Sequence, residues 1–195
     1  MADLKISQLS SATALAGTEV VPVVQGGSTK KATIDQILSP ASGKGINFSA
    51  AGGDMLTIYD EGTWTPYYTN ATPPTTPYSM NVVSATYTRI GRQVTVRGYI
   101  LTTAANTAGA SGNLMIAGLP FTPAAGNDGY SACAIGAAIN WGTNTPLYGF
   151  VQQNSPVIEL KYRTAVNGGD SDCTAADLSG GGFANVLCFS ATYFV

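Results

Sequence analysis

The sequence predicts a mainly β protein whose largest part is an antiparallel β-sandwich of the jelly-roll type. Short apolar runs recur about every dozen residues between Gly, Pro, Asn and Ser turn signals, which is typical of a sandwich or barrel. Two of these runs alternate apolar and polar residues, as half-buried strands do. Charged residues make up only 10% of the 195 residues, against about 25% in a typical soluble domain. Because so little charge covers its surface, we expect the chain to bury uncharged surface by self-association.

Residues 1–38 form the first predicted segment, a strand, a turn, a returning strand and a short helix. Residues 19–24 are rich in valine and are followed by the turn signal of residues 25–28. Thr33 and Gln36 have the spacing of a capping box at the start of the short helix. A unit of this size buries too little apolar surface to be stable alone, so we expect it to attach to another protein. The apolar residues expected to form the attachment surface are Leu4, Ile6, Leu9, Val21, Val23 and Val24.

Residues 39–62 are rich in Gly, Ser and Ala, which predicts a linker or short shaft. Residues 63–195 form the predicted β-sandwich. Gly91 and Arg92 are expected to make the tight turn of a hairpin. The predicted strands are residues 64–68, 85–90, 93–101, 114–117, 131–139, 147–152, 157–163 and 184–194.

Two of these strands have clear apolar and polar faces. In residues 157–163, Ile158, Leu160 and Tyr162 alternate with charged residues, and residues 93–100 alternate in the same way. Residues 131–139 are instead apolar on both sides, which is expected of a strand that is covered twice. A subunit interface would supply the second cover.

The three cysteines do not suggest a disulfide framework, since their number is odd and none forms a CxxC pair. Cys133 and Cys188 lie in apolar runs and are expected to be buried as small hydrophobic residues. Cys173 lies in a polar loop and is the cysteine expected to be exposed.

Composition also bears on partners and location. The net charge is −2 with no basic cluster, which does not favour nucleic acid or an anionic membrane surface as a partner. The apolar runs are shorter than a membrane-spanning helix needs. Residues 1–5 lack the basic start and apolar stretch of a secretory signal, so we expect a chain made in a cytoplasm.

Nothing in the sequence favours catalysis, a cofactor or a metal. The chain has 0 histidines, which removes Ser-His and Cys-His pairs and histidine-ligated metals. Asp60 and Glu61 are neighbours, and strand neighbours point to opposite faces, so they cannot share a substrate there. The acidic loop that starts at Asp170 has Ala175 and Gly181 where a calcium loop of the EF-hand type needs Gly and Glu. We therefore expect a non-enzymatic protein without a cofactor or metal.

Aromatic residues supply the candidate receptor site. Trp141 lies between amides at a strand-to-loop transition, and flat rings with polar tips suit wet contacts with sugars or peptides. The residues expected to form a receptor-facing patch are Trp141, Tyr148, Tyr130 and Asn140. The alternative is that Trp141 caps the core of the sandwich.

Several segments together resemble phage tail-fibre and receptor-binding proteins. Residues 4–9 (LKISQL), 17–27 (GTEVVPVVQGG) and 29–33 (TKKAT) are similar to their N-terminal attachment segment. Residues 59–66 (YDEGTWTP), 87–96 (YTRIGRQVTV) and 118–121 (GLPF) are similar to their C-terminal β-domain. The shaft of longer fibres is almost absent.

The resemblance implies a short, intertwined homotrimeric fibre, assembled in the bacterial host cytoplasm and located in the virion. Its N-terminal segment would attach to a tail or baseplate protein, and its C-terminal β-domain would contact a polysaccharide or protein receptor on the host surface. Two alternatives remain open: a purely structural baseplate or virion component without a receptor, and a tailspike-like enzyme that degrades polysaccharide.

Overall fold

A computed structural model of the chain describes residues 20–33, 46–47, 55–56, 58–164 and 168–195. The chain divides into two units, Met1–Thr57 and Ile58–Val195. In the described part of the first unit, strands Val20–Gln25 (β1) and Ser28–Thr33 (β2) pair antiparallel. Strands Ile46–Asn47 (β3) and Met55–Leu56 (β4) form a second antiparallel pair.

The hairpin of β1 and β2 confirms the predicted strand, turn and returning strand. Gln25 pairs with Ser28, so Gly26 and Gly27 are the two turn residues, with φ angles of 61° and 74°. Positive φ at both positions matches a type I′ turn, whose twist suits a β-hairpin and which favours glycine. The short helix expected after Thr33, the start of the attachment segment and most of the predicted linker lie outside the described residues.

The second unit contains a ten-stranded antiparallel sheet, which confirms the mainly β architecture. Most predicted strands are present, some with shifted ends. The strands are Tyr59–Thr63 (β5), Tyr67–Thr72 (β6), Ser79–Ile90 (β7), Gln93–Ala104 (β8), Ser111–Ala117 (β9), Ser131–Ile139 (β10), Tyr148–Val151 (β11), Val157–Arg163 (β12), Asp170–Asp172 (β13) and Ala184–Phe194 (β14). Two single 3-10 turns, Asn127–Gly129 and Ala175–Asp177, lie between strands.

Strand order could not be read from the sequence. The order is β5-β7-β8-β14-β10-β11-β12-β9-β6, and β13 pairs with β12. Hydrogen bonding therefore joins all ten strands into one continuous sheet, and the predicted arrangement as a two-layered sandwich stays a prediction. The sheet curls so that one face encloses the core and the other lies outside.

The inner face follows the predicted alternation. Val94, Val96 and Ile100 of β8 are fully buried, as are Ile158 and Leu160 of β12, while the alternate residues Thr95, Arg97, Tyr99 and Glu159 are more exposed. Burying a side chain of this size contributes about 1.5–3 kcal/mol. The hydrophobic effect on this face therefore holds the curled sheet together.

Two aromatic residues join strands that are distant in sequence. The indole N–H of Trp64 donates to the carbonyl of Arg97 at 3.1 Å, and its ring packs edge-on against Phe189, with centroids 6.1 Å apart. Trp64 therefore has the structural role of connecting the β5–β6 corner to β8 and β14.

The largest boundary difference concerns β5. Residues 59–62 were expected to end the linker, yet they pair with β7 from Tyr59 against Ile90 to Thr63 against Thr86. The strand expected at residues 64–68 begins only at Tyr67, because Pro66 has no N–H to donate to a ladder.

The predictions for two cysteines were wrong. Cys133 is buried as expected, but Cys188 is exposed and Cys173 is buried. Cys188 points outward because its neighbours Leu187 and Phe189 take the inward positions of β14. Cys173 is drawn inward because its backbone bonds to Leu160 and Leu114 on two core strands. Burial raises the pKa of the Cys133 and Cys173 thiols to about 12.

Candidate functional site

The outer face of the sheet is the surface on which the candidate site lies. Strand registers place one outward residue from each of seven neighbouring strands in a single row across this face. The row, from β7 to β13, is Thr86, Arg97, Ser190, Ala134, Tyr148, Lys161 and Asp172. Small residues occupy the middle of the row and longer ones its sides.

A shallow groove follows from this arrangement. It has a volume of about 350 Å³, and its lining residues are Ser84, Arg97, Gly98, Tyr99, Ala134, Gly136, Cys188, Phe189 and Ser190. Gly98 pairs with Phe189 across β8 and β14, and an added Cβ at Gly98 would lie 2.4 Å from the buried Phe189 ring. The strands beneath the groove are therefore packed closely on the core.

The two central strands of the face, β10 and β14, carry no charged side chain, and Arg97 of the neighbouring β8 lies beside them. Neither β10, with 9 residues, nor β14, with 11, contains Asp, Glu, Lys or Arg. Ala132, Ala134 and Gly136 of β10 are nevertheless exposed, as is Cys188 of β14. Residues 131–139 were expected to be covered on both sides, and the single chain covers only one.

On the β12–β13 side of the face, charged residues form ion pairs. Lys161 forms ion pairs with Asp172 and with Glu159, the latter at 3.2 Å. Burial lowers the pKa of Lys161, but its hydrogen bonds and attraction to the two carboxylates outweigh burial and raise it overall. Arg163 pairs with Asp170 at 3.4 Å.

A second pocket, which we call the end pocket, lies where β8 and β10 begin and β14 ends. Its volume is also about 350 Å³, and its lining residues are Arg92, Asn127, Asp128, Tyr130, Ser131 and Phe194. The pocket combines two aromatic rings with a cation, a carboxylate, an amide and a hydroxyl.

Contacts outside the end pocket fix the orientation of the Tyr130 and Arg92 side chains that line it. The Tyr130 ring stacks on Phe150, with centroids 5.2 Å apart and planes at 22°, and Gln153 donates to the Tyr130 hydroxyl at 2.6 Å. The Arg92 Nε donates to the carbonyl of Val195 at 3.0 Å. A guanidinium nitrogen of Arg92 lies 3.9 Å from a carboxylate oxygen of Asp128, and both side chains are mostly exposed.

The structure divides the four predicted receptor residues between two ends of β10. Tyr130 precedes this strand, whereas Asn140 and Trp141 follow it. Nine residues of strand separate the two groups by about 30 Å. Tyr148 pairs with Ala134 on the outer face, and its strand neighbour Phe150 is the ring that supports Tyr130. Tyr130 and Tyr148 therefore belong to one region, and Trp141 does not.

Trp141 has the contacts of a residue that closes the core. It is half-buried, its indole N–H donates to the carbonyl of Val186 at 3.1 Å, and its ring packs edge-on against Tyr68, with centroids 5.8 Å apart. The carbonyl of Asn140 accepts the backbone N–H of Asn185 at 3.0 Å. These contacts agree with the alternative in which Trp141 caps the core.

Of the predicted attachment residues, Leu4, Ile6 and Leu9 lie outside the described residues. Val21 and Val23 are half-buried on β1, and Val24 is 77% exposed. The role of these valines in attachment stays a prediction.

Sequence reasoning missed a buried polar network around Asn185, which is fully buried with φ 52°. Its side-chain amide donates to the Thr102 hydroxyl at 2.7 Å and to the Ser179 carbonyl at 2.9 Å, and its oxygen accepts the Ser179 N–H at 2.8 Å. Its carbonyl accepts the Tyr68 hydroxyl at 2.9 Å. The only signal in the sequence was an asparagine within an apolar run.

Asp177 was also missed as a structural residue. One carboxylate oxygen accepts the backbone N–H and the hydroxyl of Thr174, and the other accepts the backbone and side-chain amides of Asn144. Asp177 thereby connects its 3-10 turn to the loop after Trp141. Its carboxylate is used for internal hydrogen bonds.

The described residues contain neither a metal cluster nor a membrane-spanning helix. In residues 20–33, 58–164 and 168–195, no group of three His, Cys, Asp or Glu side chains is arranged to hold a metal ion. The part of the chain that the structure describes also has no helix of the length and apolarity needed to cross a membrane. No protein-family model matches this chain, and no curated protein matches it.

Proposed function

We propose that the chain is the subunit of a short homotrimeric phage tail fibre, a non-enzymatic structural protein of the virion. Its N-terminal segment would attach to the tail or baseplate, and its C-terminal β-domain would contact the host cell surface. An intertwined trimer with a jelly-roll-like head and a short linker is part of the proposal. The observation that supports it best is the uncharged, exposed outer face of β10 and β14.

Self-association explains this face better than exposure to water does. Residues near a threefold axis meet their own copies, so a charge placed there would be repelled by identical charges. Ala132, Ala134 and Gly136 carry no charge and are small enough to let neighbouring sheets approach closely. We therefore infer that a second copy of this chain covers the face around Ala134, Gly136 and Cys188, and that the end where β10 begins and β14 ends stays open.

The N-terminal hairpin supports attachment. A two-stranded hairpin is at best marginally stable by itself in water, and Val20 and Val24 at its two ends are exposed. Docking on a tail or baseplate protein would bury these valines.

The enzymatic alternative gains no support from the carboxylates of β5. Asp60 accepts the Tyr87 hydroxyl at 3.2 Å, and Glu61 accepts the Tyr59 hydroxyl at 2.6 Å. Because the two residues are strand neighbours, their carboxylates serve different partners on different sides of β5. The purely structural alternative differs from our proposal only in lacking a receptor.

The decisive experiment measures the native mass of the full chain in solution. We expect three copies per particle, and we expect iodoacetamide to label Cys188 slowly in the native particle and rapidly after dissociation. The variant Ala134→Arg should lower the mass and speed the labelling of Cys188, because a charge then lies on the covered face. The matched control Ala108→Arg, at an exposed loop position, should do neither.

A folded monomer at micromolar concentration would refute the fibre proposal. Cys188 labelling at the same rate in native and dissociated protein would show that the face is not the interface. Adsorption of the purified particle to bacterial cells tests the host-surface role separately, and failure to bind any host surface would favour the purely structural alternative. Release of reducing or unsaturated sugar from host polysaccharide would favour the enzyme.

A further inference from the structure

We propose that the end pocket binds an uncharged pyranose ring of a surface glycan, with Tyr130 and Phe194 as its aromatic walls and Arg92 and Asp128 as its polar rim. This inference deepens the proposed host-surface role and rests on it, because it names the site and the chemical class of the receptor.

The aromatic walls provide the first argument. Tyr130 is 39% exposed and Phe194 is 46% exposed, so both rings leave apolar surface in contact with water in the free protein. Covering this surface with a ligand is favourable. A pyranose has an apolar C–H face that covers such a ring. The stack of Tyr130 on Phe150 and the hydrogen bond from Gln153 fix the ring in advance, which reduces the entropy lost on binding.

The polar rim provides the second argument. Sugar hydroxyls both donate and accept hydrogen bonds, and the rim offers both, with donors on Arg92, acceptors on Asp128, and an amide on Asn127. The charges of Arg92 and Asp128 cancel at a separation of 3.9 Å. The pocket therefore does not require a charged ligand, and a neutral sugar replaces water at the rim without leaving a charge unpaired.

The size and edges of the pocket argue against a peptide strand. Its volume of about 350 Å³ is near the lower limit for small-ligand pockets and fits one sugar ring. A peptide that adds to a sheet needs an unpaired strand edge. The strands β8, β14 and β10 around this pocket are each paired on both sides.

The experiment measures binding of the full-length protein to an array of immobilised neutral and acidic oligosaccharides, and intermolecular NOEs with a free oligosaccharide identify the aromatic protons in contact. We expect binding to neutral oligosaccharides and NOEs from sugar C–H protons to the Tyr130 and Phe194 rings. Phe194→Ala and Asp128→Asn should each weaken binding about tenfold, roughly the loss of one good contact. Phe183→Ala is the matched control, since Phe183 is 69% exposed but lies outside the pocket, and it should bind as the wild type does.

Three results would overturn the inference: no binding to any neutral oligosaccharide, binding to acidic ones alone, or affinity unchanged in both pocket variants. Each is distinguishable from failure of the proposed function. If wild type and Phe194→Ala adsorb equally to host cells, the fibre role stands and the pocket is not the receptor site. If the protein is monomeric and adsorbs to no cells, the fibre role fails whatever the array shows.

Discussion

Replacing Asn185 should destabilise the head more than any conservative surface change, because its side chain makes three hydrogen bonds without access to water. Asn185→Ala removes both amide donors and the acceptor, and leaves the N–H and carbonyl of Ser179 without their buried partner. The Thr102 hydroxyl retains its bond to the carbonyl of Ala184 at 3.1 Å. We therefore expect most of the lost stability to come from the unpaired N–H and carbonyl of Ser179.

The magnitude follows from two contributions. Each lost hydrogen bond costs about 0.5–1.5 kcal/mol net, or about 3 kcal/mol for three. Alanine at a left-handed φ of 52° adds about 1 kcal/mol, because asparagine tolerates this conformation better. We expect Asn185→Ala to lower the free energy of unfolding by about 4 kcal/mol. Asn185→Gly, which adopts this φ freely, should cost about 1 kcal/mol less.

Urea unfolding of the full chain at fixed protein concentration, followed by tryptophan fluorescence, measures these differences. Trp141 is a suitable reporter because its indole bonds to Val186, next to Asn185. Asn154→Ala is the matched control, since Asn154 has φ 51° but is exposed, and it should cost about 1 kcal/mol. A loss for Asn185→Ala no larger than for Asn154→Ala would refute the reasoning.

Three further predictions use the same unfolding assay. Gly98→Ala places a Cβ 2.4 Å from the Phe189 ring and should cost about 1–3 kcal/mol by overpacking; an unchanged urea midpoint would show that the ring moves aside freely. Asp177→Asn replaces a carboxylate oxygen that accepts hydrogen bonds with an amide donor, and should cost about 2–3 kcal/mol, whereas the exposed Asp128→Asn should cost under about 0.5 kcal/mol. The pKa of Cys173 is raised to about 12 by burial and by the nearby acidic residues, so its stabilising contribution is complete below about pH 8.5 and is lost as pH rises toward 12. Cys173→Ala should therefore flatten the fall of stability above pH 8.5, and an unchanged slope would contradict the assignment.

The sequence was most informative where local pattern decides the structure. Alternation in residues 157–163 predicted the inner and outer faces of β12, and the paired glycines after Gln25 predicted the hairpin turn. Both signals depend on neighbours in the chain, so they need no knowledge of tertiary contacts.

Features that depend on tertiary contacts could not be predicted in this way. Cys173 lies in a polar segment and Cys188 in an apolar one, so local composition predicted an exposed Cys173 and a buried Cys188. In the structure Cys173 is buried and Cys188 is exposed. Tyr59–Thr63 contains Asp, Glu and Gly, which strands disfavour, and it is a strand because β7 offers it a free edge. The candidate site was predicted in part, since Tyr130 was identified but its companions Phe194 and Arg92 come from distant segments.

The position of β14 bears on how the protein is made. This strand follows all other described strands in sequence but lies between β8 and β10 in the sheet. Until β14 has been synthesised, the β7–β8 hairpin and the β10–β11–β12 meander each present an unpaired edge to the cell. Such edges template aggregation, and closing a sheet through contacts distant in sequence is slow. We expect nascent chains to depend on chaperones until this strand inserts and unites the two halves.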